Sequence, residues 1–345
     1  MQRLVANNLK LQSSEMEQRK SDHIRIALQS QVSADEHDSR FHYEPMMQPH
    51  PPEELPPIKF LGKQLHAPLW VSSMTGGTSG AREVNTNLAR ACREFGMGMG
   101  LGSCRIILDD NTWFDDFNMR DIIGNDFPLF ANLGIVQVEQ LVHSGNTKII
   151  HDLVARLKAD GLIIHVNPMQ EWFQPEGDRL KYAPVDTIRR FLNVTWYPVI
   201  VKEVGQGMGP SSIRELLNLP LAAVEFASFG GTNFALAELL RSSSERQFLY
   251  EPYTRVGELS TDMVNYVNEA IEALPSVRCH QVIVSGGIRN FLDGYYLINK
   301  VKVNAIYGQA SGFLKHATVG YEALQKYCSD QIDGLKLAYA YLKVR

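Results

Sequence analysis

Several polar side chains of this sequence follow a short apolar run at spacings that suit catalysis. His165 and Asn167 come at the end of the run, and Gln170 and Glu171 follow closely. Such groups can orient a substrate and move protons. A single glutamate is sufficient for Mg²⁺, because this ion completes its shell with substrate oxygens. His165 alone would be interpreted as a hydrogen-bonded core residue, but its polar neighbours favour a functional site.

Two glycine-rich segments near the carboxyl end of the chain are suited to holding a phosphate. They are Ser285-Gly286-Gly287-Ile288-Arg289 and Gly308-Gln309-Ala310. Glycine lets backbone N–H groups approach an anion closely, and the start of a following helix favours negative charge. A phosphorylated cofactor is therefore one interpretation. A plain tight turn with a solvated Arg289 is the other.

These residues must be positioned by strands, and the sequence contains eight candidates. Each candidate is a short apolar run, and helical patterns alternate with the runs, as in repeated βα units around a parallel sheet. The predicted strands are Leu69–Met74, Gly96–Gly102, Pro128–Leu133, Gly161–Val166, Pro198–Glu203, Ala222–Ser228, Gln281–Gly286 and Asn304–Gly308. One intervening helix is predicted from the stripe Ile149, Ile150, Leu153, Val154 and Leu157. Eight units predict a closed TIM (β/α)8 barrel, with a doubly wound open sheet as the alternative.

The ends of the predicted strands carry polar or glycine-rich clusters. Besides the two phosphate segments, the clusters are Met74-Thr75-Gly76-Gly77, Gly102-Ser103-Cys104-Arg105, Asn132-Leu133-Gly134, His165-Val166-Asn167, Lys202-Glu203 and Gly230-Gly231-Thr232-Asn233. A glycine after a strand is often only a turn residue, and Lys202-Glu203 could be a surface ion pair. In a TIM barrel, however, the active site lies at the carboxyl ends of the strands. The repetition of such clusters therefore favours an active site at that rim.

Composition and charge restrict the classes of function. The 345 residues are 44% hydrophobic and 21% charged, which is typical of a soluble globular protein. A net charge of −4 gives no basic excess to attract nucleic acid or an anionic membrane. The four cysteines show neither zinc-site spacing nor the density of a disulfide scaffold. With no predicted signal peptide or membrane span, a cytoplasmic location is expected.

The chain is predicted to consist of an amino-terminal arm, residues 1–66, and a barrel, residues 67–345. The arm is polar, and Pro51-Pro52 and Pro56-Pro57 near its end favour extended backbone. Within the barrel, Gly205-x-Gly207-x-Gly209 is interpreted as a loop rather than as a nucleotide-binding segment, because the pattern is common.

The sequence resembles the type 2 isopentenyl-diphosphate isomerases, in motifs that run in order from Arg19 to about Leu314. The motifs are Arg19-Lys20-Ser21-Asp22-His23-Ile24, Ser72-Ser73-Met74-Thr75-Gly76-Gly77, His165-Val166-Asn167-Pro168-Met169-Gln170-Glu171, Gln174-Pro175-Glu176-Gly177-Asp178, Lys202-Glu203-Val204-Gly205, Gly230-Gly231-Thr232-Asn233 and Ser285-Gly286-Gly287-Ile288-Arg289. Several FMN barrels share the glycine segments. The Arg19 segment and the stretch from His165 to Asp178 are specific to the family.

The resemblance implies a reversible 1,3-allylic proton shift between isopentenyl and dimethylallyl diphosphate in isoprenoid biosynthesis. It implies reduced FMN and Mg²⁺, with NADPH as reductant, and a homotetramer or another homo-oligomer. The implied flavin contacts are Met74, Thr75, Gly76, Ser103, Asn132, Lys202, Thr232, Gly286, Gly287, Ile288, Arg289, Gln309 and Ala310. The implied diphosphate contacts are Arg19 and Lys20 of the arm, with Arg105. Gln170 would face the reacting carbons, and Glu171 would ligate the metal. His165 and Asn167 are the further candidate catalytic residues.

The chemistry of this reaction requires a site that stabilises charge, cationic groups for the diphosphate and a proton donor and acceptor. Protonating an alkene beside an anionic leaving group needs a dry, electrostatically prearranged site. Arginine suits a diphosphate because its planar fork donates hydrogen bonds in pairs. A reduced flavin can supply and withdraw protons where ordinary side chains are poor acids. Lys202 near the flavin N1 edge would stabilise the anionic reduced form.

Three positions depart from the family pattern. Cys104 replaces a usual glutamine, Ala227 replaces a frequent flavin-contacting serine, and Phe291 replaces a frequent glycine. These changes bear on flavin affinity or substrate range more than on the class of reaction.

Three other functions remain as alternatives. An FMN oxidoreductase of the hydroxy-acid oxidase type would place a histidine before the glycine pair, where this chain has Phe229. A dehydrogenase could use Cys104 as its nucleophile. A non-catalytic flavin-binding barrel would keep the fold without the reaction.

Overall fold

A computed structural model describes residues 22–23, 26–73, 75–174 and 177–345. The chain divides into two compact units, one extending to His42 and including Arg345, and the other comprising Tyr43–Val344. In the first unit a 3-10 helix, Ala34–Glu36, begins after Ser33, whose backbone N–H donates to the Glu36 carboxylate at 3.1 Å. The boundary between an arm and a barrel near residue 66 stays a prediction.

The second unit is built on a closed parallel barrel of eight strands. In chain order they are β1 (Leu69–Val71), β2 (Gly98–Gly100), β3 (Leu129–Gly134), β4 (Gly161–His165), β5 (Val199–Lys202), β6 (Ala223–Glu225), β7 (Gln281–Ser285) and β8 (Asn304–Gln309). Each strand pairs with the next along the chain, and β8 pairs with β1. Every residue of β3 is buried, as expected for a strand covered on both faces. The predicted TIM barrel is confirmed, and the open sheet is wrong.

Helices alternate with these strands and surround the barrel. They are α1 (Ala81–Phe95), α2 (Phe114–Phe117), α3 (Arg120–Ile123), α4 (Ile135–His143), α5 (Lys148–Arg156), α6 (Pro168–Phe173), α7 (Pro184–Leu192), α8 (Pro210–Leu217), α9 (Phe234–Leu240), α10 (Ser244–Tyr250), α11 (Ser260–Ala273), α12 (Phe291–Lys300), α13 (Ser311–Ala317) and α14 (Tyr321–Tyr341). In α5 the predicted stripe is too wide. Ile150 is buried whereas Ile149 is 36% exposed, because adjacent helical residues point about 100° apart. Among the described helices, none is long and apolar enough to cross a membrane.

A short antiparallel hairpin precedes the barrel within the second unit. Its strands are Ile58–Phe60 and Lys63–Leu65, and Phe60 and Leu65 are fully buried. Leu61 and Gly62 form the turn at positive φ angles of 50° and 79°. The remaining short elements are the strands Phe41–Tyr43 and Leu342–Val344 and the 3-10 helices Cys104–Ile107 and Glu251–Arg255.

Candidate active site

A cavity of about 280 Å³ opens where β5 to β8 and β1 end. It is lined by eight of the residues predicted to hold a flavin, and they come from four successive strand ends. These residues are Lys202, Thr232, Gly286, Gly287, Ile288, Arg289, Gln309 and Ala310. The structure therefore brings together the cluster that the sequence predicted at the carboxyl-terminal rim.

A second cavity of about 120 Å³ adjoins the first at the ends of β2 to β4. Ser103, Asn132, His165 and Gln170 line this second cavity, and all four were predicted site residues. The two cavities have common walls, formed by Ser73, Lys202, Val204 and Phe234. They are thus neighbouring parts of one depression at the barrel mouth.

The far end of the first cavity has close backbone approaches that only glycine allows. A Cβ atom at Gly231 would lie 3.3 Å from the Gly287 nitrogen, and one at Gly286 would collide with the Ser228 backbone. Gly286 and Gly287 also have φ angles of 87° and 71°, in the left-handed region that favours glycine. Two loops consequently meet backbone to backbone and leave room for an anion.

The helices that follow the two predicted phosphate segments begin differently. At the start of α12, the Asn290 side chain accepts hydrogen bonds from the backbone N–H groups of Leu292 and Asp293. α13 begins at Ser311 without a side-chain cap, and Ser311 lines the cavity. The amides available to an anion therefore lie in the β7 loop and after β8, rather than at the start of α12.

Lys202 is the last residue of β5 and lies between the two cavities. Its side chain is buried, and Nζ donates to the Glu203 carbonyl oxygen at 2.8 Å. Burial raises the pKa of the Glu203 carboxyl, and hydrogen bonds from Gln206, Gly205 and Gly207 oppose that shift. These N–H groups donate at 2.6, 2.6 and 3.0 Å. The interpretation of Lys202 and Glu203 as a surface ion pair is wrong, because both side chains are buried. The loop of residues 205–207 instead folds around the buried Glu203 carboxyl group.

His165 ends β4, and its ring is held by Asn132. The His165 Nδ1 and Asn132 Oδ1 atoms lie 2.9 Å apart, and Asn132 Nδ2 donates to the Leu101 carbonyl at 3.0 Å. Burial, aided by the charge of Lys202, lowers the pKa of His165 to about 3. The imidazole is therefore neutral near pH 7 and can accept or donate a hydrogen bond without carrying charge.

Gln170 lies in α6 with its amide fixed at both ends. Its Oε1 accepts from Asn167 Nδ2 at 3.2 Å, and its Nε2 donates to Glu238 Oε1 at 3.1 Å. Asn167 Nδ2 also donates to Glu171 Oε1 at 3.0 Å, while the buried Glu171 Oε2 has no partner among the described residues. Asn167 is thus a positioning residue for both predicted functional side chains.

Other predicted residues are not brought to these cavities. Arg105 is mostly exposed and pairs with Asp178, with 3.4 Å between Nη2 and Oδ2. Thr75 and Gly76 pack beside Gly102 and Phe117 and do not belong to the described walls of either cavity. Three further predicted site residues lie outside the described residues, namely Arg19, Lys20 and Met74.

Two carboxyl groups at the site were missed by the sequence analysis. Glu238 in α9 accepts hydrogen bonds from both Gln170 and Gln174, and Glu225 ends β6 inside the first cavity. Glu225 could have been found, because it is the one charged residue of its predicted strand. Glu238 could not, since its contact with Gln170 joins two helices that are distant in sequence.

The departures from the family pattern have different environments. Cys104 is fully buried, and burial raises the pKa of its thiol to about 12, which argues against a nucleophilic role. Ala227 lines the first cavity with φ 46°, and its N–H donates to Ser285 Oγ at 2.9 Å. The Phe291 ring packs against Gly334 of α14, where a Cβ atom would collide with it. The third departure is therefore a packing feature of the barrel exterior.

Comparison with known proteins decides the family. The chain is 36% identical over 279 residues to the isopentenyl-diphosphate delta-isomerase of Rickettsia africae, covering 81% of this chain and 78% of the relative. It is 34% identical over 330 residues to the same-named enzyme of Rickettsia felis, covering 93% and 91%. The chain belongs to the isopentenyl-diphosphate delta-isomerase family. The predictions of family and enzyme class are confirmed, and no family model matches the chain.

Solved structures support the fold. A mutant flavocytochrome b2 with bound pyruvate aligns with a TM-score of 0.58 at 13% identity, covering 87% of this chain and 71% of that chain. A mandelate oxidase mutant with an FMN adduct aligns with a TM-score of 0.51 at 13% identity, covering 89% and 88%. At this identity the likeness establishes the barrel architecture alone.

Proposed function

We propose that this enzyme interconverts isopentenyl and dimethylallyl diphosphate, using reduced FMN and Mg²⁺, with NADPH as reductant. The observation that carries the proposal is the pair of adjoining cavities. One contains glycine loops suited to an anion, the other contains the fixed Gln170 amide, and Lys202 stands between them. The family membership of the chain supports the same reaction.

The first cavity fits FMN. Gly286, Gly287 and Ala310 would hold the phosphate through backbone N–H groups, with Arg289 supplying positive charge. Lys202 would face the ring and stabilise its anionic reduced form. When bound, the reduced flavin supplies and withdraws the migrating proton. The buried Ser73 Oγ, which has no described partner and lines both cavities, offers a further polar contact.

In the second cavity, Gln170 and His165 would hold the alkene end of the substrate. The Gln170 amide cannot act as a strong acid, but its two hydrogen bonds fix it so that it can orient the reacting carbons. His165 is a poor base because of its low pKa, and it would line the cavity as a neutral side chain that can form a hydrogen bond. The diphosphate would be bound by Arg19 and Lys20, which lie outside the described residues, and by Arg105, which would have to leave Asp178 to reach it.

Glu171 fits a single-carboxylate Mg²⁺ site. Asn167 bonds one of its oxygens, while the other is buried and without a described partner. Among the described residues, no group of three or more metal-ligating side chains is present. Mg²⁺ needs no such group, because one carboxylate with substrate and water oxygens is a common set for this ion.

A hydroxy-acid oxidase activity is less well supported. Phe229 occupies the position where such an enzyme would need a basic histidine before the glycine pair. His165, which does line the second cavity, has its pKa lowered to about 3 and is a weak base. These observations favour isomerisation over oxidation.

The proposal is tested by flavin binding to a matched pair of glycine variants. Gly287 lines the first cavity with φ 71°, and an added Cβ would lie 3.1 Å from the Phe229 carbonyl oxygen. At Gly145, with φ 73°, it would meet open space. Gly287→Ala and Gly145→Ala therefore impose similar backbone strain, but only the first should weaken FMN binding, measured by flavin fluorescence. A colourless parent protein that refuses added FMN would contradict the proposal.

A further inference from the structure

A buried carboxyl group inside the first cavity has one oxygen without a described partner. Glu225 ends β6, is fully buried and lines the first cavity. Its Oε1 accepts hydrogen bonds from Ser72 Oγ at 2.5 Å and from Ser285 Oγ at 3.2 Å. Its Oε2 is buried and has no partner among the described residues. A buried acceptor without a hydrogen bond is unfavourable, so Oε2 is expected to bind a hydrogen-bond donor.

The hydrogen bonds around Glu225 hold the carboxyl group in one orientation. Ser285 Oγ accepts the Ala227 N–H at 2.9 Å, so its own hydroxyl proton is directed to Glu225. Ser72, which follows β1, holds the same oxygen from the opposite side of the barrel mouth. Because both serines bind Oε1, the second oxygen is left for a partner in the cavity.

The position of Glu225 in the barrel indicates which part of a ligand it meets. β6 lies between β5, which ends in Lys202, and β7, which leads into Gly286 and Gly287. Lys202 and Glu225 are register partners, so they lie side by side at the ends of neighbouring strands. A ligand with its anion on the glycine loops and its ring near Lys202 would pass its connecting chain over Glu225.

We infer that Glu225 Oε2 accepts a hydrogen bond from a hydroxyl group of the polyol chain that joins the phosphate and the ring of the flavin. This inference rests on the proposed function, because it takes FMN as the cofactor. A carboxyl oxygen accepts hydrogen bonds, so the complement of Oε2 in the cofactor is a hydroxyl donor. Glu225 would thereby favour a flavin whose polyol chain keeps this hydroxyl.

The experiment measures dissociation constants of FMN and of its singly deoxygenated analogues, each lacking one chain hydroxyl, by fluorescence quenching of the oxidised flavin. The proteins are the parent, Glu225→Gln, which replaces one carboxyl oxygen by an amide nitrogen, and Glu225→Met, which keeps an unbranched side chain and removes both acceptor oxygens. Glu139→Gln is the matched control. Its buried carboxyl accepts from the Lys181 and Tyr182 backbone at 2.9 and 3.2 Å, outside both cavities.

In the parent and in Glu139→Gln, loss of one particular hydroxyl should weaken binding by roughly 10-fold, as expected when a buried acceptor loses its donor. In Glu225→Met the same analogue and FMN should bind equally well, and Glu225→Gln should lie between. Unfolding temperatures identify variants that fail to fold, and if Glu225→Met fails, the comparison of Glu225→Gln with the parent and Glu139→Gln decides.

Three results would overturn the inference, and the third is distinguishable from the first two. If the parent binds FMN but no deoxygenated analogue binds more weakly, a water molecule satisfies Oε2 and only this inference fails. The same holds if Glu225→Met keeps the full discrimination. If the parent binds no FMN at all, the proposed function fails and the inference fails with it.

Discussion

Shortening Gln170 to asparagine is the perturbation whose consequence can be derived most directly from the site. The change retracts the amide by about 1.5 Å, one C–C bond length. In the enzyme the amide spans Glu238 at 3.1 Å and Asn167 at 3.2 Å. After retraction both contacts cannot stay within hydrogen-bonding distance. The amide would then no longer be held toward the second cavity.

The expected loss in turnover is about a hundredfold or more, because a displacement of roughly 1 Å in a positioning group can have that effect. This corresponds to about 2.7 kcal/mol of activation free energy. Gln174→Asn is the matched control, since Gln174 Nε2 donates to the same Glu238 oxygen at 3.0 Å but lies outside the second cavity. The kcat of Gln174→Asn should stay within about threefold of the parent, which corresponds to less than about 1 kcal/mol of activation free energy.

The assay is isomerisation under reducing conditions, with FMN occupancy measured on the same samples. Flavin binding should survive in both variants, because Lys202 and the glycine loops belong to other strand ends. If Gln170→Asn turns over at the parental rate with FMN bound, the placement of the reacting carbons beside Gln170 is wrong. If both variants lose activity equally, Glu238 rather than Gln170 is the important group.

Three further outcomes are expected. Cys104→Ala should keep kcat within about tenfold of the parent, equivalent to about 1.4 kcal/mol, because the thiol is buried and its pKa is about 12; a covalent thiol adduct detected by mass spectrometry would contradict this. Glu171→Gln should raise the Mg²⁺ concentration required for half-maximal activity, because it removes a hard anionic ligand; an unchanged Mg²⁺ titration would exclude Glu171 as the ligand. His165 has its pKa lowered from 6.5 to about 3, so its contribution to stability is complete above pH 6.5 and is lost as the pH falls toward 3. The free energy of unfolding should therefore decrease by roughly 1 to 2 kcal/mol between pH 7 and pH 5, and His165→Gln should reduce that decrease in urea titrations; an identical pH dependence in the variant would count against a half-buried histidine that stays neutral.

The barrel could be predicted because its signals are local. Each strand is an apolar run that ends in polar residues, and the predicted strands match β1 to β8 to within a few residues at their ends. The errors are also local in origin. The stripe in α5 included Ile149 because periodicity alone cannot separate two adjacent apolar residues.

The site could be predicted in part, for the same reason. Lys202, Gln170 and the glycine loops carry signals at strand ends, and the structure places them around adjoining cavities. The contacts that fix them join distant segments, such as Glu238 with Gln170 and Ser72 with Glu225. Tertiary packing creates these contacts, so no spacing in the sequence indicates them.

The most direct test of the central claim is a single-substrate assay with isopentenyl diphosphate in D₂O, under anaerobic conditions with Mg²⁺. The account predicts dimethylallyl diphosphate containing solvent deuterium when FMN is reduced, and none when FMN is absent or oxidised. It also predicts that the reduced flavin is not consumed over many turnovers, because an isomerisation has no net redox change. Isomerisation without flavin, or consumption of one reductant per product, would contradict the account.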